Sequence, residues 1–267
     1  MEKKMFKFEV HLNEHCNLNC KCCDHFSPIA KEEYADFDSV EKDFIRMKEL
    51  LGNERNVGIY LLGGEPLLNP RIIDYIYMAR KHFDNKEKDI IRIVTNGILL
   101  NKQKEEFWKA CAENDILIAP THYPISIDYE SIKKKSEKYG VKIEFFHSDD
   151  LVEYMYNIPL HLKGDLDAKD SFEHCHIASR CAFVRNGKLY CCPRIANIQH
   201  FNKKYNKNLK VDEDDFLDIY KIERFDDIEE YLSRPKEFCS HCNTRNLDRY
   251  VKWSSGGNKM EDWVSEN

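Results

Sequence analysis

The 267-residue chain lacks three features that would assign it to a familiar class: an excess of positive charge, a long apolar run and an export signal. It carries 41 lysines and arginines against 47 aspartates and glutamates, a net charge of −6, whereas a general nucleic-acid binder is normally basic. No apolar run approaches the roughly 18 residues that a membrane-spanning helix needs. Met1–Lys4 leads directly into a strand-like segment, so we expect no signal peptide. These absences predict a cytoplasmic protein that binds neither nucleic acid nor a membrane.

Cysteine, by contrast, is abundant. The chain has 11 cysteines, and in a protein without an export signal such a number indicates metal binding rather than disulfides. A hydrophobic content of 42% supports one large domain, or one large domain with a smaller second one. We expect a reducing cytoplasm at low oxygen, because exposed iron–sulfur clusters are sensitive to oxygen.

The first cysteine motif follows a predicted strand, Phe6–Leu12, and places Cys16, Cys20 and Cys23 in one loop with C-x3-C-x2-C spacing. Thiolates are the soft ligands that hold iron–sulfur clusters. Three of them leave one iron of a four-iron cubane open to another ligand. A tetrahedral zinc site would need a fourth ligand. Cys22 would then have to point the same way as its neighbour Cys23, which an extended backbone disfavours.

A second motif, Gly63-Gly64-Glu65-Pro66, ends the predicted strand Val57–Leu62. Glycines let the backbone approach a ligand closely, and a glutamate offers charge to an ammonium group. The two motifs in this order resemble the radical S-adenosylmethionine (SAM) superfamily. The resemblance implies that the cysteine loop holds a [4Fe-4S] cluster and that the GGEP turn contacts the amino group of SAM. Cys22 stands where the family often has an aromatic residue that packs near the adenine.

Predicted strands and helices alternate with short connections, which is the pattern of a parallel sheet. Polar or glycine-bearing clusters follow strands one to four, at the face that carries the chemistry in (β/α) barrels. The helix starts are predicted at a capping box, Asp38–Glu41, and at Asn69-Pro70. The fold class is therefore α/β, in agreement with the partial (β/α)6 barrel of the family. The predicted strands are Phe6–Leu12, Val57–Leu62, Ile90–Val94, Ile116–Ala119 and Val141–Phe146, with a sixth at Met155–Leu162 that Pro159 would confine to an edge.

Asn96 and His122 follow predicted strands three and four, so both are candidates for contacts with SAM. Either side chain could instead bond the backbone of its own loop. Asp24 and His25 come directly after the cysteine loop and are candidate catalytic residues, although the same stretch reads as a turn that Pro28 ends.

The C-terminal third contains a predicted hairpin with Asn186-Gly187 at its turn. Counting outward pairs Arg185 with Lys188, Phe183 with Tyr190, and Cys181 with Cys192. Directly paired residues have Cβ atoms about 4.5–5.5 Å apart, so the two thiolates could bind one cluster. The motif Cys239-Ser240-His241-Cys242 would complete such a site. A zinc ribbon is the alternative.

This region resembles the SPASM and twitch extensions of radical SAM enzymes, in which later cysteines hold an auxiliary four-iron cluster. The resemblance favours the shorter twitch form, and the predicted domains are residues 1–170 and 171–267. Cys191 alternates to the opposite face of its strand from Cys192, so we expect it not to be a ligand. The run Ser254–Gly257 is predicted to be flexible. Five candidates compete for four cluster positions: Cys175, Cys181, Cys192, Cys239 and Cys242.

The resemblance implies that the cluster and SAM generate a 5′-deoxyadenosyl radical, which removes hydrogen from a substrate carbon. It also implies an external one-electron reductant, such as flavodoxin or ferredoxin. If the auxiliary cluster accepts a second electron, the net reaction is an oxidation, and relatives with a twitch domain include a dehydrogenase that acts on a carbocyclic sugar alcohol. We therefore expect oxidation of a secondary alcohol of a carbohydrate or cyclitol, including phosphate- or nucleotide-linked forms that Arg185, Lys188 or Arg194 could bind.

Three alternatives remain open. An epimerase would use a thiol, such as that of Cys181 or Cys191, to return hydrogen to the substrate. Peptide maturation is less favoured, because the first strand starts by Phe6 and leaves no room for a peptide-binding extension. A metal-binding scaffold would not need the GGEP turn. The candidate catalytic residues are Asp24, His25, His122 and Cys191.

Overall fold

The computed structural model describes residues 5–146, 148–178, 182–246 and 250–264. The chain divides into two compact units. The first comprises Met1–Glu14 and Glu33–Glu153, and the second comprises His15–Glu32 and Tyr154–Asn267. The predicted domains, residues 1–170 and 171–267, stay a prediction. The cysteine loop groups with the C-terminal half of the chain, because residues near the C-terminus bond to it directly.

The first unit is built on a parallel sheet. Within the described residues its strands have the order β5-β4-β3-β2-β1, and every neighbouring pair is parallel. All six residues of the second strand are buried, as expected for a parallel strand that is covered on both faces. The strands are β1 (Phe6–His11), β2 (Val57–Leu62), β3 (Asp89–Thr95), β4 (Ile116–Pro120) and β5 (Lys142–Ile143).

Helices connect successive strands of this sheet, which confirms the predicted alternation. A cluster of three buried aromatic rings ties them to the sheet. The ring of Phe44 lies 6.1 Å from that of Phe8 and 5.9 Å from that of Phe83. Gly52 and Gly140 end two of the helices at positive φ. The helices are α1 (Phe37–Leu51), α2 (Ile72–His82), α3 (Glu105–Glu113) and α4 (Tyr129–Tyr139).

Both predicted helix starts are wrong by a few residues. The N-cap of α1 is Asp36, whose carboxylate accepts the Ser39 amide at 2.9 Å. The helix therefore begins before the predicted capping box. Asn69 does not cap α2, because its side chain turns the preceding loop. Its Oδ1 accepts the Arg71 amide at 2.8 Å, and its Nδ2 donates to the Leu12 carbonyl at 2.6 Å.

The last two predicted strands of the barrel also differ from the structure. Only Lys142–Ile143 of the fifth forms a strand, although the Glu144 and Phe146 amides still donate to the carbonyls of Ile118 and Pro120 in β4. The predicted sixth strand is wrong, because β6 (Tyr154–Tyr156) pairs antiparallel with β10 (Tyr250–Lys252) in a separate two-stranded sheet. The α/β fold with its mostly parallel sheet is consistent with a partial TIM barrel.

The second unit contains the predicted hairpin, formed by β7 (Phe183–Arg185) and β8 (Lys188–Tyr190). Asn186 and Gly187 occupy the turn with φ of 50° and 76°, the conformation of a two-residue primed turn. The predicted pairing is confirmed for Arg185 with Lys188 and for Phe183 with Tyr190. Cys181, predicted opposite Cys192, lies outside the described residues. A further strand, β9 (Leu217–Asp218), pairs antiparallel with β8.

The helices of the second unit are α5 (Ala168–Glu173), α6 (Pro193–Tyr205) and α7 (Phe225–Ser233). The longest of them, α6, was not predicted. Proline occupies its first turn, and Cys192 is its N-cap residue. Most of its residues are buried, so its sequence has no clear polar face to reveal a helical period. In the described part of the chain, no helix is both long and apolar enough to cross a membrane.

Candidate functional site

The three cysteines of the N-terminal loop each accept a hydrogen bond at sulfur. The Leu18 amide donates to Cys16 Sγ at 3.3 Å, and the indole Nε1 of Trp253 donates to Cys20 Sγ at 3.3 Å. Cys23 accepts hydrogen bonds from backbone amides that follow it in the chain. Donors of this kind stabilise negative charge on sulfur, as the thiolate ligands of a cluster require. The donor set therefore fits a cluster held by Cys16, Cys20 and Cys23.

Cys22 differs from these three residues. Its backbone is left-handed, with φ of 59°, and its side chain is buried. Burial raises the pKa of its thiol to about 11, although the nearby Arg194 opposes the shift. The thiol is therefore protonated at neutral pH. Among the residues that the structure describes, no three histidine, cysteine, aspartate or glutamate side chains converge closely enough to hold a single metal ion.

Residues near the C-terminus bond to the cysteine loop at several points. Cys20 forms an isolated antiparallel bridge with Ser255. The Lys21 amide donates to the Ser254 carbonyl at 3.0 Å, and the Gly257 amide donates to the Asn19 carbonyl at 2.9 Å. The prediction that Ser254–Gly257 is flexible is therefore wrong. Its small residues allow close packing on another part of the backbone.

Asp24, a predicted catalytic residue, is paired with Arg194. Its Oδ1 lies 2.6 Å from both Nε and Nη2 of the guanidinium. Arg194 is 1% exposed and also donates to the carbonyl of Ile158. This arginine, suggested from the sequence to bind an anionic substrate group, is thus already paired within the protein. His25 contributes a backbone amide to Cys23.

The GGEP turn packs closely against the end of β1. The Gly64 amide donates to the Asn13 carbonyl at 2.9 Å. A Cβ added at Gly63 would lie only 2.5 Å from the same oxygen, so glycine is required there. The turn continues as a short 3-10 helix from Pro66. The backbone of the turn is therefore fixed by its contact with the first strand.

Glu65 is fully buried within this turn. Its Oε1 accepts hydrogen bonds from the Leu67 amide at 3.0 Å and from the Thr95 hydroxyl at 2.7 Å, and its Oε2 accepts the Asn96 amide at 2.8 Å. Burial raises the pKa of the carboxyl to about 7, with these hydrogen bonds acting in the opposite direction. A cation beside the group would favour its charged form. The carboxylate is thus suited to receive an ammonium group.

Asn96 and His122 lie just beyond the carboxyl ends of β3 and β4, where the sequence placed them. Asn96 Oδ1 accepts the Ile98 amide of its own loop at 3.0 Å. His122 Nδ1 lies 2.7 Å from the Asp149 carbonyl, and its ring stacks on Phe145 with 4.5 Å between centroids. Their contact with SAM stays a prediction.

Four of the five predicted ligands in the C-terminal set are described, namely Cys175, Cys192, Cys239 and Cys242. They influence one another electrostatically: Cys175 and Cys242 both act on Cys192, and Cys175 also acts on Cys239 and Cys242. Burial raises the pKa of Cys239 to about 11, and burial also raises the pKa of Cys192 well above its ordinary value. Cys175 Sγ accepts the Ala178 amide and Cys192 Sγ accepts the Arg194 amide, both at 3.4 Å.

Cys191, a predicted catalytic candidate, is fully buried. Burial raises the pKa of its thiol to about 12, and the thiol interacts with Tyr231. Lys236, which is 2% exposed, contributes a positive charge near both Cys191 and Cys239 while its Nζ donates to the Tyr231 carbonyl at 2.6 Å. No local sequence pattern indicated this lysine, and the same holds for Trp253, whereas Arg194 was named from the sequence only as a candidate for binding an anionic substrate group.

Sequence and fold comparisons place the chain among known proteins. A relative from Clostridium botulinum, GTP 3',8-cyclase, is 34% identical over 110 residues, which cover 40% of this chain and 33% of that protein. Molybdenum cofactor biosynthesis protein 1 of Bos taurus is 31% identical over 101 residues, which cover 38% of this chain and 15% of that protein. The chain therefore spans about a third or less of the length of these relatives.

The solved structure of BtrN in complex with AdoMet and 2-DOIA is similar over 99% of this chain and 100% of that one, with a TM-score of 0.53 and 19% identity. At this identity the likeness shows the fold alone. The family model described as the Radical SAM superfamily matches residues 10–145. That match spans just over half of the chain and includes both the cysteine loop and the GGEP turn. The chain therefore belongs to the radical SAM superfamily.

Proposed function

We propose that this radical SAM enzyme oxidises a secondary alcohol of a sugar or cyclitol to a carbonyl. Membership of the superfamily implies a [4Fe-4S] cluster and SAM. The observation that carries the proposal is the second set of cysteines, of which Cys192 and Cys239 are buried, because a two-electron oxidation needs an acceptor for the second electron. When bound, the first cluster and SAM would supply the 5′-deoxyadenosyl radical for hydrogen abstraction. The second cluster would accept the second electron.

Cys16, Cys20 and Cys23 hold the first cluster in this proposal. Each sulfur already accepts at least one hydrogen bond from the protein, so negative charge on the three thiolates is stabilised from several directions. The remaining iron is left open for SAM.

SAM binds at the GGEP turn, Gly63, Gly64, Glu65 and Pro66. The Glu65 carboxylate receives the SAM ammonium, because three protein donors orient it and its burial disfavours charge without a cation. Asn96 and His122 remain proposed SAM contacts at the ends of β3 and β4.

The second cluster binds to Cys175, Cys192, Cys239 and Cys242, with Cys181 as the competing ligand. Buried cations lie beside these thiols: Arg194 favours the charged form of Cys242, and Lys236 favours that of Cys239. A buried anionic cluster needs such compensation. Residues 171–267 then form a twitch-type domain.

The substrate is proposed to be a small carbohydrate. The likeness of the fold to BtrN over the full chain, in a structure that holds AdoMet and 2-DOIA, supports a small organic ligand. Asp24 is the favoured general base, because its side chain keeps 25% exposure while Arg194 holds it in place. His25 and His122 remain candidates. A flavodoxin or ferredoxin would supply the first electron. The described cysteines are all free thiols, which supports a reducing cytoplasm.

Two alternative reactions are less well supported. An epimerase that uses Cys191 as its hydrogen donor would need a thiol that reaches the substrate, yet Cys191 is fully buried. Cys181 could fill that role, but it lies outside the described residues. A peptide maturase would need a site for a peptide. GTP cyclisation rests only on a match to part of the chain.

Anaerobic reconstitution with iron and sulfide tests the proposal. We expect about eight irons per chain, as for two four-iron clusters, and release of 5′-deoxyadenosine from SAM when a reductant is present. Cys16→Ala and Cys192→Ala should each remove about half of the iron, because each change disrupts one cluster. Cys111→Ala, in a cysteine buried within α3, is the matched control and should leave iron unchanged.

A panel of deuterium-labelled sugars and cyclitols then tests the reaction. The substrate should transfer deuterium to 5′-deoxyadenosine and lose two hydrogens in mass. An unchanged product mass would indicate epimerisation, and a labelled peptide substrate would indicate maturation. Bound zinc without SAM cleavage would overturn the enzymatic assignment.

A further inference from the structure

The segment Trp253–Trp263, which we call the C-terminal strap, contacts the cysteine loop through both of its tryptophans. Trp253 Nε1 donates to Cys20 Sγ at 3.3 Å, whereas Trp263 Nε1 donates to the backbone carbonyl of Cys23 at 2.9 Å. Trp263 is 1% exposed and its ring lies 5.8 Å from that of Phe26. The strap is therefore an integral part of the cysteine site.

Glycine makes this close approach possible. A Cβ added at Gly257 would lie 2.7 Å from the Cys20 carbonyl oxygen and 2.9 Å from the Lys21 Cα, both of which belong to the backbone. Backbone atoms cannot move aside cheaply. A side chain at position 257, between the two tryptophans, would therefore push the strap away from the cysteine loop.

The bond to Cys20 differs in kind from those at the other two sulfurs. Cys16 and Cys23 accept bonds from near neighbours in sequence, namely backbone amides and, for Cys23, also the Ser27 side chain, which local folding provides. The donor to Cys20 is a side chain 233 residues further along the chain. An N–H dipole directed at a cluster sulfur stabilises the more negative, reduced state of the cluster.

We propose that Trp253 is a positioning residue for the first cluster, and that its indole N–H to Cys20 Sγ raises the reduction potential of that cluster. This inference rests on the proposed assignment of the first cluster to Cys16, Cys20 and Cys23. The strap seats the donor, and the donor makes the cluster easier to reduce by the external one-electron carrier.

The test compares Trp253→Phe with Trp263→Phe in the reconstituted protein. Both changes remove an indole N–H, but only the first removes a donor to sulfur. The readout is the ratio of reduced to oxidised first cluster at a fixed potential, measured by electron paramagnetic resonance. The first cluster is identified as the one whose signal changes when SAM is added. We expect Trp253→Phe to keep its iron and to lower this ratio about fivefold, with Trp263→Phe close to the wild type. Equal ratios in the two variants, or no change in Trp253→Phe, would overturn the inference.

Gly257→Ala tests the seating of the strap independently. The added methyl group should lift the strap and reduce the retention of iron by the first cluster, with total iron falling from about eight toward four per chain. Asn258→Ala, at an exposed neighbouring position, is the control and should retain its iron. Full iron in Gly257→Ala, together with a wild-type ratio of reduced cluster, would show that the strap is not needed. If Cys16→Ala removes no iron, the assignment of the first cluster is wrong. If Cys16→Ala removes iron but Trp253→Phe has no effect on the ratio, only the role of Trp253 is wrong.

Discussion

Glu65 is the residue at which pH should act most directly on SAM binding. Its pKa is raised from 4.5 to about 7 by burial, so the folded protein retains a proton that an unfolded chain loses near pH 4.5. As pH rises from about 4.5 to about 7, the folded state therefore loses the stability that this bound proton provides. Above about pH 7 the carboxylate is charged and favours a neighbouring cation. The SAM ammonium is such a cation.

We predict that SAM binds the reconstituted protein more tightly as pH rises from 6 to 7.5, by roughly five- to tenfold, because the ionised fraction of Glu65 grows by about that factor. Isothermal titration at several pH values measures the change. Glu65→Gln should bind SAM weakly and show no such dependence on the acid side. A dissociation constant that stays level between pH 6 and 7.5 in the wild type would contradict the role of Glu65.

The ion pair of Asp24 and Arg194 is unequal in burial, with side-chain exposures of 25% and 1%. Removing the carboxylate would leave a buried guanidinium without its charged partner, which typically costs 3–5 kcal/mol. Removing the arginine would leave an aspartate that water can reach. We predict that Asp24→Ala lowers the melting temperature more than Arg194→Met does, and that the double variant recovers part of the loss. Thermal unfolding followed by circular dichroism measures the order, and equal losses in the two single variants would contradict it.

At the scale of elements, the strands of the first unit could be predicted because their signal is local. A parallel strand that is covered on both faces is a continuous apolar run, and β2 is buried at every position. The hairpin was predicted equally well, since Asn186 and Gly187 supply the two positive φ angles that its turn requires. The cysteine spacing and the GGEP turn are local signals too.

Elements whose partners are distant in sequence escaped prediction. The residues of β6 pair with a strand almost 100 positions later, so the local sequence around β6 does not reveal its pairing partner. Helix α6 is buried on most sides and therefore lacks a polar stripe. The strap has the serines and glycines of a flexible loop, yet its backbone bonds the cysteine loop. For the same reason Trp253 and Lys236 were absent from the predicted site, and the pairing of Arg194 with Asp24 was not predicted.

At the scale of the whole molecule, the two units carry different parts of the proposed machinery. All of the proposed cluster ligands belong to the second unit, while the GGEP turn and the parallel sheet belong to the first. Burial raises the pKa of Cys239 to about 11 and that of Cys192 well above its ordinary value, so both thiols are protonated at neutral pH. Each of these thiols must lose a proton to bind iron, so cluster binding should weaken as pH falls.

Removal of iron should consequently loosen one unit and spare the other. We predict that chelation at pH 7 increases amide hydrogen exchange in residues 15–32 and 154–264, because buried thiols and their compensating cations lose the metal that they surround. Residues 33–146 keep their own buried core of strands and helices, and their exchange should change little. Hydrogen exchange measured by mass spectrometry on loaded and iron-free protein distinguishes the two regions, with Cys111→Ala as a control that should respond as the wild type does. Equal loss of protection in both regions would mean that the sheet also depends on the metal, and the assignment of the clusters to the second unit alone would then have to be abandoned.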